Sequence, residues 1–130
     1  MGVLVDYFTA ESDRSAERAL SGGPAHVKLP YVDCKGWIDE PGDLVAELSG
    51  RDISEFGDCE VVVDDGEVSG VERVMPETVT ALAAVEDARL REYAEDELLD
   101  EYEVERITAL RELAREAVRL NHGMYRWMCA

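Results

Sequence analysis

The chain has 130 residues, with 30 acidic side chains against 13 basic ones and a formal charge of −17. A field of that sign repels phosphate backbones, which are bound by neutralising Lys and Arg, so direct nucleic-acid binding is disfavoured. Its apolar runs are a few residues long, far below the roughly 20 that cross a bilayer, so no membrane span is expected.

A chain of this length falls in the usual single-domain range, and it shows no internal repeat and no Pro- or Ser-rich linker. It is therefore read as one domain over 1–130. The opening Met1-Gly2-Val3-Leu4-Val5 lacks the basic flank and cleavage pattern of a secretory signal. Asp6 stands where a myristoylation motif needs Ser or Thr, so lipidation is not expected. Val3, Val5 and Tyr7 alternate with Leu4, Asp6 and Phe8, which predicts a covered strand with two largely apolar faces.

Ser12 is an N-cap candidate for a short helix carrying Ala16, Ala19 and Leu20 on one stripe, ended by Gly22-Gly23-Pro24. Short extended pieces are expected around Tyr31-Val32 and Gly36-Trp37-Ile38. Pro41 suits the first turn of a second helix with Leu44, Val45 and Leu48 inward and Gly50 as its stop. Val61-Val62-Val63 reads as a strand, and Asp65-Gly66 as a two-residue hairpin turn into Glu67-Val68-Ser69, with Gly70 weakening or bulging the return.

The second half reads as two long helices. In the first, from Pro76, the residues Val79, Leu82, Ala83, Leu90, Tyr93 and Ala94 share a side, and Glu86 falls on it too. Either Glu86 is a buried carboxylate with a raised pKa, or the stripe rotates or the helix breaks there. In the second, from about Glu103 to Asn121, Ile107, Leu110, Leu113, Ala114, Ala117 and Val118 face the core, opposite Arg111, Glu112, Arg115, Glu116 and Arg119. Gly123 is the expected stop, and the alternation in Met124 to Cys129 suggests that the tail returns as a strand whose aromatics are buried. Strand runs followed by helix runs give an α+β fold: a small, mainly antiparallel sheet against two long C-terminal helices.

Few residues offer chemistry. His26 and His122 stand alone, without a second ligand at helical spacing, and Asp64-Asp65-Gly66-Glu67 lacks the further oxygens of a calcium loop, so no metal site and no cofactor is expected. Cys34, Cys59 and Cys129 are odd in number and widely spaced, as expected of free thiols in a reducing cytoplasm. No catalytic residue is assigned. An enzyme would need a pocket joining Glu86, His26 and Cys34, or Asp6 and Tyr7 at a strand end.

The densest feature is 86–105, where ten acids stand against Arg89 and Arg91 and Tyr93, Leu98, Leu99 and Tyr102 interleave them. That mixture suits a protein interface, and it nominates Glu86, Glu92, Tyr93, Glu95, Asp96, Glu97, Asp100, Glu101 and Tyr102 as a docking surface for a protein partner, with a basic one favoured by the charge. The competing reading is a solvated helix face and loop. Two alternatives stay open: an acidic inhibitor of immunity or nucleic-acid-mimic type, and a small enzyme with an unrecognised pocket. Self-association through Tyr93, Tyr102 or Trp127 is a further route to a homo-oligomer.

The opening Met1-Gly2-Val3-Leu4-Val5-Asp6-Tyr7-Phe8, with a polar turn into a helix, resembles the start of the uncharacterised YfbM-like family of small bacterial α+β proteins. The order of elements, with a helical stretch before an apolar tail, is also similar to small uncharacterised actinobacterial proteins. The resemblance implies a cytoplasmic protein of unknown activity and brings no catalytic residues with it.

Overall fold

In a computed structural model, which describes residues 4–34 and 40–129, the chain forms a five-stranded antiparallel sheet with helices packed against it, an α+β fold. The Gly36-Trp37-Ile38 piece lies outside the described residues. Strand β1 (Leu4–Ala10) leads into α1 (Asp13–Glu17), a 3₁₀ turn at Pro24–Val27 and the short β2 (Tyr31–Asp33). Then come α2 (Pro41–Ser49), the hairpin β3 (Glu60–Asp64) and β4 (Ser69–Arg73), helices α3 (Pro76–Ala83), α4 (Asp87–Asp96) and α5 (Glu101–Leu120), and β5 (Gly123–Cys129). The strand order is β2-β1-β5-β4-β3. The returning tail is therefore the middle strand.

Alternation in β1 and β5 divides the interior in two, because successive side chains leave opposite faces of a sheet. Val5, Tyr7 and Met124 join the larger core, built with Leu44, Val45, Leu48, Leu82, Ile107 and Leu110 from the helices. Phe8, Ala10, Tyr125 and Trp127 form a smaller core with Ala16 and Ala19 on the other face. There Phe8 and Tyr125, directly paired in register, stack with centroids 5.5 Å apart. Asp13 ties α1 down by accepting the Tyr125 hydroxyl at 2.8 Å and pairing with Arg73. Gly23, at φ +85°, lies flat on the Trp127 ring, where a Cβ would stand 3.0 Å from the ring carbons. The indole N–H donates to the Leu20 carbonyl at 3.1 Å. Trp127 is thus buried and leaves no surface for the self-association that its position near the end suggested.

Several local expectations change. The hairpin loop is four residues, Asp65–Val68, because the Asp65 carboxylate accepts the N–H groups of Glu67, Val68 and Ser69 and holds a wider turn than a two-residue one. The bulge falls on β3 between Val61 and Val63, while Gly70 pairs regularly with Asp64. The long helix expected from Pro76 is divided: Ala84, Val85 and Glu86 separate α3 from α4. The stop of α5 is Asn121 at φ +57°, with Asn121 and His122 N–H groups closing on the carbonyls of Val118 and Ala117, so Gly123 is free to open β5. Val118 is exposed, and Arg111, placed by the helical wheel on the outer face, is buried.

Arg111 and its neighbours explain why the break is stable. The last carbonyls of a helix lack intrahelical donors and need others. Arg111 donates to the Val85 carbonyl at 3.1 Å, and Arg115 to those of Ala83 and Val85 at 2.9 and 2.8 Å. Arg89 does the same for the end of α2, donating to Leu48 at 2.9 Å and Glu47 at 2.8 Å.

Two outcomes follow from β5 lying in the centre. A chain stopped after His122 loses the pairing of both β1 and β4 and is expected to show no cooperative thermal transition by circular dichroism; a sharp transition would refute the central placement. Within β5, Arg126 is 6% exposed and pairs through its Nη2 and Nε with Glu72 at 2.5 and 3.0 Å. Arg126→Leu strands a partly buried carboxylate and should cost about 3 kcal/mol in urea unfolding, whereas Arg126→Leu with Glu72→Leu should recover most of that loss.

Candidate functional site

The nominated acidic residues occupy one end of the molecule, around α4 and the start of α5. Glu86 ends up outside the core: it is the N-cap residue of α4, exposed, with its carbonyl accepting from Arg89 and Leu90. The break in the helix removed it from the apolar stripe. Glu92 is exposed and pairs with Arg89 at 2.6 Å. Glu95 and Asp96 are exposed on α4, and Glu97 follows in the connection.

Leu98 marks the turn between the helices. It is 88% exposed and sits at φ +53°, a left-handed conformation that a leucine adopts at a steric cost. Asp100 is committed to structure as the N-cap of α5, where its carboxylate accepts the Glu103 N–H at 2.8 Å while Glu103 returns a bond to the Asp100 N–H. Glu101 is exposed in the first turn, where the positive helix end favours it. Tyr102 is 43% exposed beneath the Arg106 guanidinium, 4.9 Å from its ring centre. Tyr93 differs from the others: it packs against the main core, and burial together with the Glu47 carboxylate pushes its hydroxyl up to about 12.

Glu86, Glu95, Asp96, Glu97 and Glu101 enter no ion pair among the described residues. Beside them α4 and α5 line an open groove of about 350 Å³, with the apolar Leu90, Ala94, Val104 and Ile107 and the charged Asp87, Arg91, Glu95 and Arg111 on its walls. Periodicity in one dimension could not show this groove, because its walls come from two separate helices.

The residues required by an enzyme do not converge. Cys34 lies in the main core, where burial pushes its thiol up to about 12; His26 is exposed in the 3₁₀ turn on the opposite side of the sheet, and Glu86 is on the α3–α4 break. Burial likewise raises Cys59 to about 11, which leaves both thiols protonated and poorly nucleophilic at neutral pH. Asp6 and Tyr7 are neighbours in β1 and therefore point to opposite faces. The three cysteines are free, and among the described residues no three His, Cys, Asp or Glu side chains gather in a metal-binding arrangement. No helix among the described residues is long and apolar enough to cross a membrane.

Asp6 has its own pH signature. Desolvation, reinforced by Asp33 across the β1–β2 ladder, raises its carboxyl to about 6 from 3.8. Between those values the folded chain holds more protons than the unfolded one, so this group stabilises the fold as pH falls from about 6 to 4 and penalises it above. Asp6→Asn should therefore raise stability at pH 7 by about 1 kcal/mol, a value reduced for the solvent that reaches this half-buried group, and flatten the pH dependence between 4 and 6. Denaturant midpoints measured across that range check it; an unchanged slope would contradict the assignment. Comparison with protein-family models, curated proteins and solved structures finds no match to this chain, so the reading of the site rests on its own residues.

Proposed function

We propose that this is a non-enzymatic binding or regulatory protein of the cytoplasm that meets a basic protein partner through the acidic end formed by α4 and the start of α5. The observation that carries the reading is the uncompensated charge there: Glu95, Asp96, Glu97 and Glu101 are exposed and without ion pairs among the described residues, next to the exposed Leu98 and Tyr102. Charges without a counter-charge among the described residues remain available to a partner, and they steer its approach over about 8–10 Å at physiological salt. Solvation alone accounts for acids, but it gives no reason for a leucine to be held at full exposure in a left-handed turn among them.

The test is affinity capture from the native lysate at low and at high salt, with mass-spectrometric identification, using the natural chain and a variant with Glu95→Gln, Asp96→Asn, Glu97→Gln and Glu101→Gln. One basic protein should be retained at low salt, released at about 0.5 M, where the Debye length falls below about 5 Å, and retained at least tenfold less by the variant. Capture that is indifferent to salt and to the four substitutions would overturn the proposal.

A further inference from the structure

The sheet leaves one outer strand open. β3 ends the order β2-β1-β5-β4-β3 and pairs with β4 on one side, so its outward N–H and C=O groups have no partner strand among the described residues. Edge groups of this kind accept an added strand through main-chain bonds, and the side chains of such a strand alternate between the two faces of the sheet. The bulge between Val61 and Val63 interrupts the regular ladder, which limits an added strand to a few residues.

Beside this edge lies an open groove of about 370 Å³. Val61, Val68 and Met128 give it apolar walls, and the first two are 62% and 50% exposed. Gly70 lines it as well. A glycine inside a strand weakens it and often marks a place where another backbone or a ligand comes close. Neither a positive φ nor crowding within the chain requires one here: Gly70 pairs regularly with Asp64, and a Cβ would stand 3.6 Å from that of Asp64, an ordinary contact. What the missing side chain provides is room in the groove.

The charged walls are of one sign. Asp64, Glu67 and Glu72 line the groove, and no Lys or Arg does. Glu72 is matched by Arg126 at 2.5 Å, which leaves Asp64 and Glu67 without an ion pair among the described residues. The stretch 58–67 carries five acids and no cation, and of these acids Glu60 alone is paired among the described residues, with Arg73 at 2.5 Å. This distribution selects between occupants. Two copies of β3 laid side by side would bring Glu60, Asp64 and their acidic neighbours together, and like charges on adjacent strands oppose pairing. A basic strand meets the same acids as counter-charges, and the aliphatic stems of Lys and Arg can lie on Val61 and Val68 while their heads reach the carboxylates.

Independently of the acidic end formed by α4 and α5, we infer that the outer edge of β3 is a second docking surface, which takes an extended basic segment of a partner protein as an additional short strand. Alternate Lys or Arg side chains of that segment cross the groove towards Gly70 and meet Asp64 and Glu67.

The probe is a synthetic peptide of about nine residues alternating lysine and valine, longer than the five residues of β3. It is compared with a scrambled peptide of the same composition, a glutamate–valine counterpart, and the same basic peptide methylated at its backbone nitrogens, which keeps the charge and removes the main-chain donors. At low salt the alternating basic peptide should bind at least tenfold more tightly than the scrambled and methylated ones, and the acidic peptide should not bind. Amide shift changes should centre on 61–64 and Gly70. Gly70→Val, which fills the groove with a good strand former, should weaken binding at least tenfold and leave the thermal transition in place or raise it. Glu67→Lys, at an exposed loop position, should weaken binding as much. The variant with Glu95→Gln, Asp96→Asn, Glu97→Gln and Glu101→Gln should bind the peptide as the natural chain does. Binding that is equal for the alternating and scrambled peptides, equal for the alternating and methylated ones, or absent altogether would overturn the inference and leave the reading of the α4–α5 end standing. Shifts confined to 95–102, or loss of binding in the fourfold variant, would move the peptide to that end and also overturn the edge. Sedimentation of the chain alone as a dimer that Gly70→Val dissociates would assign the edge to a second copy, with the same result.

Discussion

Everything in this fold depends on the insertion of β5 between β1 and β4. Before that pairing exists, the N-terminal strand with β2 and the β3–β4 hairpin are separate two-stranded pieces, each too small to be stable alone. Once β5 is in place, its alternate residues supply both interiors: Met124 to the helical side, Tyr125 and Trp127 to the side covered by α1 and the 3₁₀ turn. The ladder joins residues near opposite ends of the sequence, such as Leu4 with Cys129 and Ala10 with Gly123. Such distant contacts carry a large loop-closure cost and are expected to form late and cooperatively.

The same tertiary arrangement sorts the charges. Many of the arginines turn inward or along the structure: Arg126 to Glu72 on the sheet, Arg73 to Asp13 and Glu60, Arg89 to the end of α2, and Arg111 and Arg115 to the end of α3. Arginine suits this task, because its planar fork reaches several acceptors at once and its long stem can lie on apolar surface. With the cations so engaged, the excess of carboxylates stays outside. The run 86–105 already concentrates negative charge in the sequence, and the arginines bound elsewhere in the fold leave Glu95, Asp96, Glu97 and Glu101 without ion pairs among the described residues.

The helix break at Ala84–Glu86 shows how structure and candidate site are linked. By interrupting the helix it leaves Glu86 exposed at the N-cap of α4 and begins a separate element, whose Leu90 and Ala94 line the groove together with Val104 and Ile107 of α5. Arg111 and Arg115 hold the break by donating to the carbonyls that it exposes. Arg111, which helps to hold the break, thus also lines the groove between α4 and α5.

Local physics determined much of this protein from its residues alone. The Ser12 cap, Pro41 at a first turn with Gly50 as stop, the Val61–Val63 strand, the apolar stripe of α5 and the alternating tail all express preferences that act within a few residues, and all are present. The acidic run 86–105 was equally legible, as was the exposure of most of its carboxylates. What tertiary structure decided lies beyond that range. A helical wheel assumed continuity through Glu86 and put Arg111 in water, whereas the Val85 carbonyl just beyond α3 and the Asp87 carboxylate take up that buried side chain. Strand order, the burial of Trp127 beneath Gly23 and the opening between α4 and α5 are relations among distant segments. They arise only when the elements pack, because no residue's own preference specifies which neighbour will cover it.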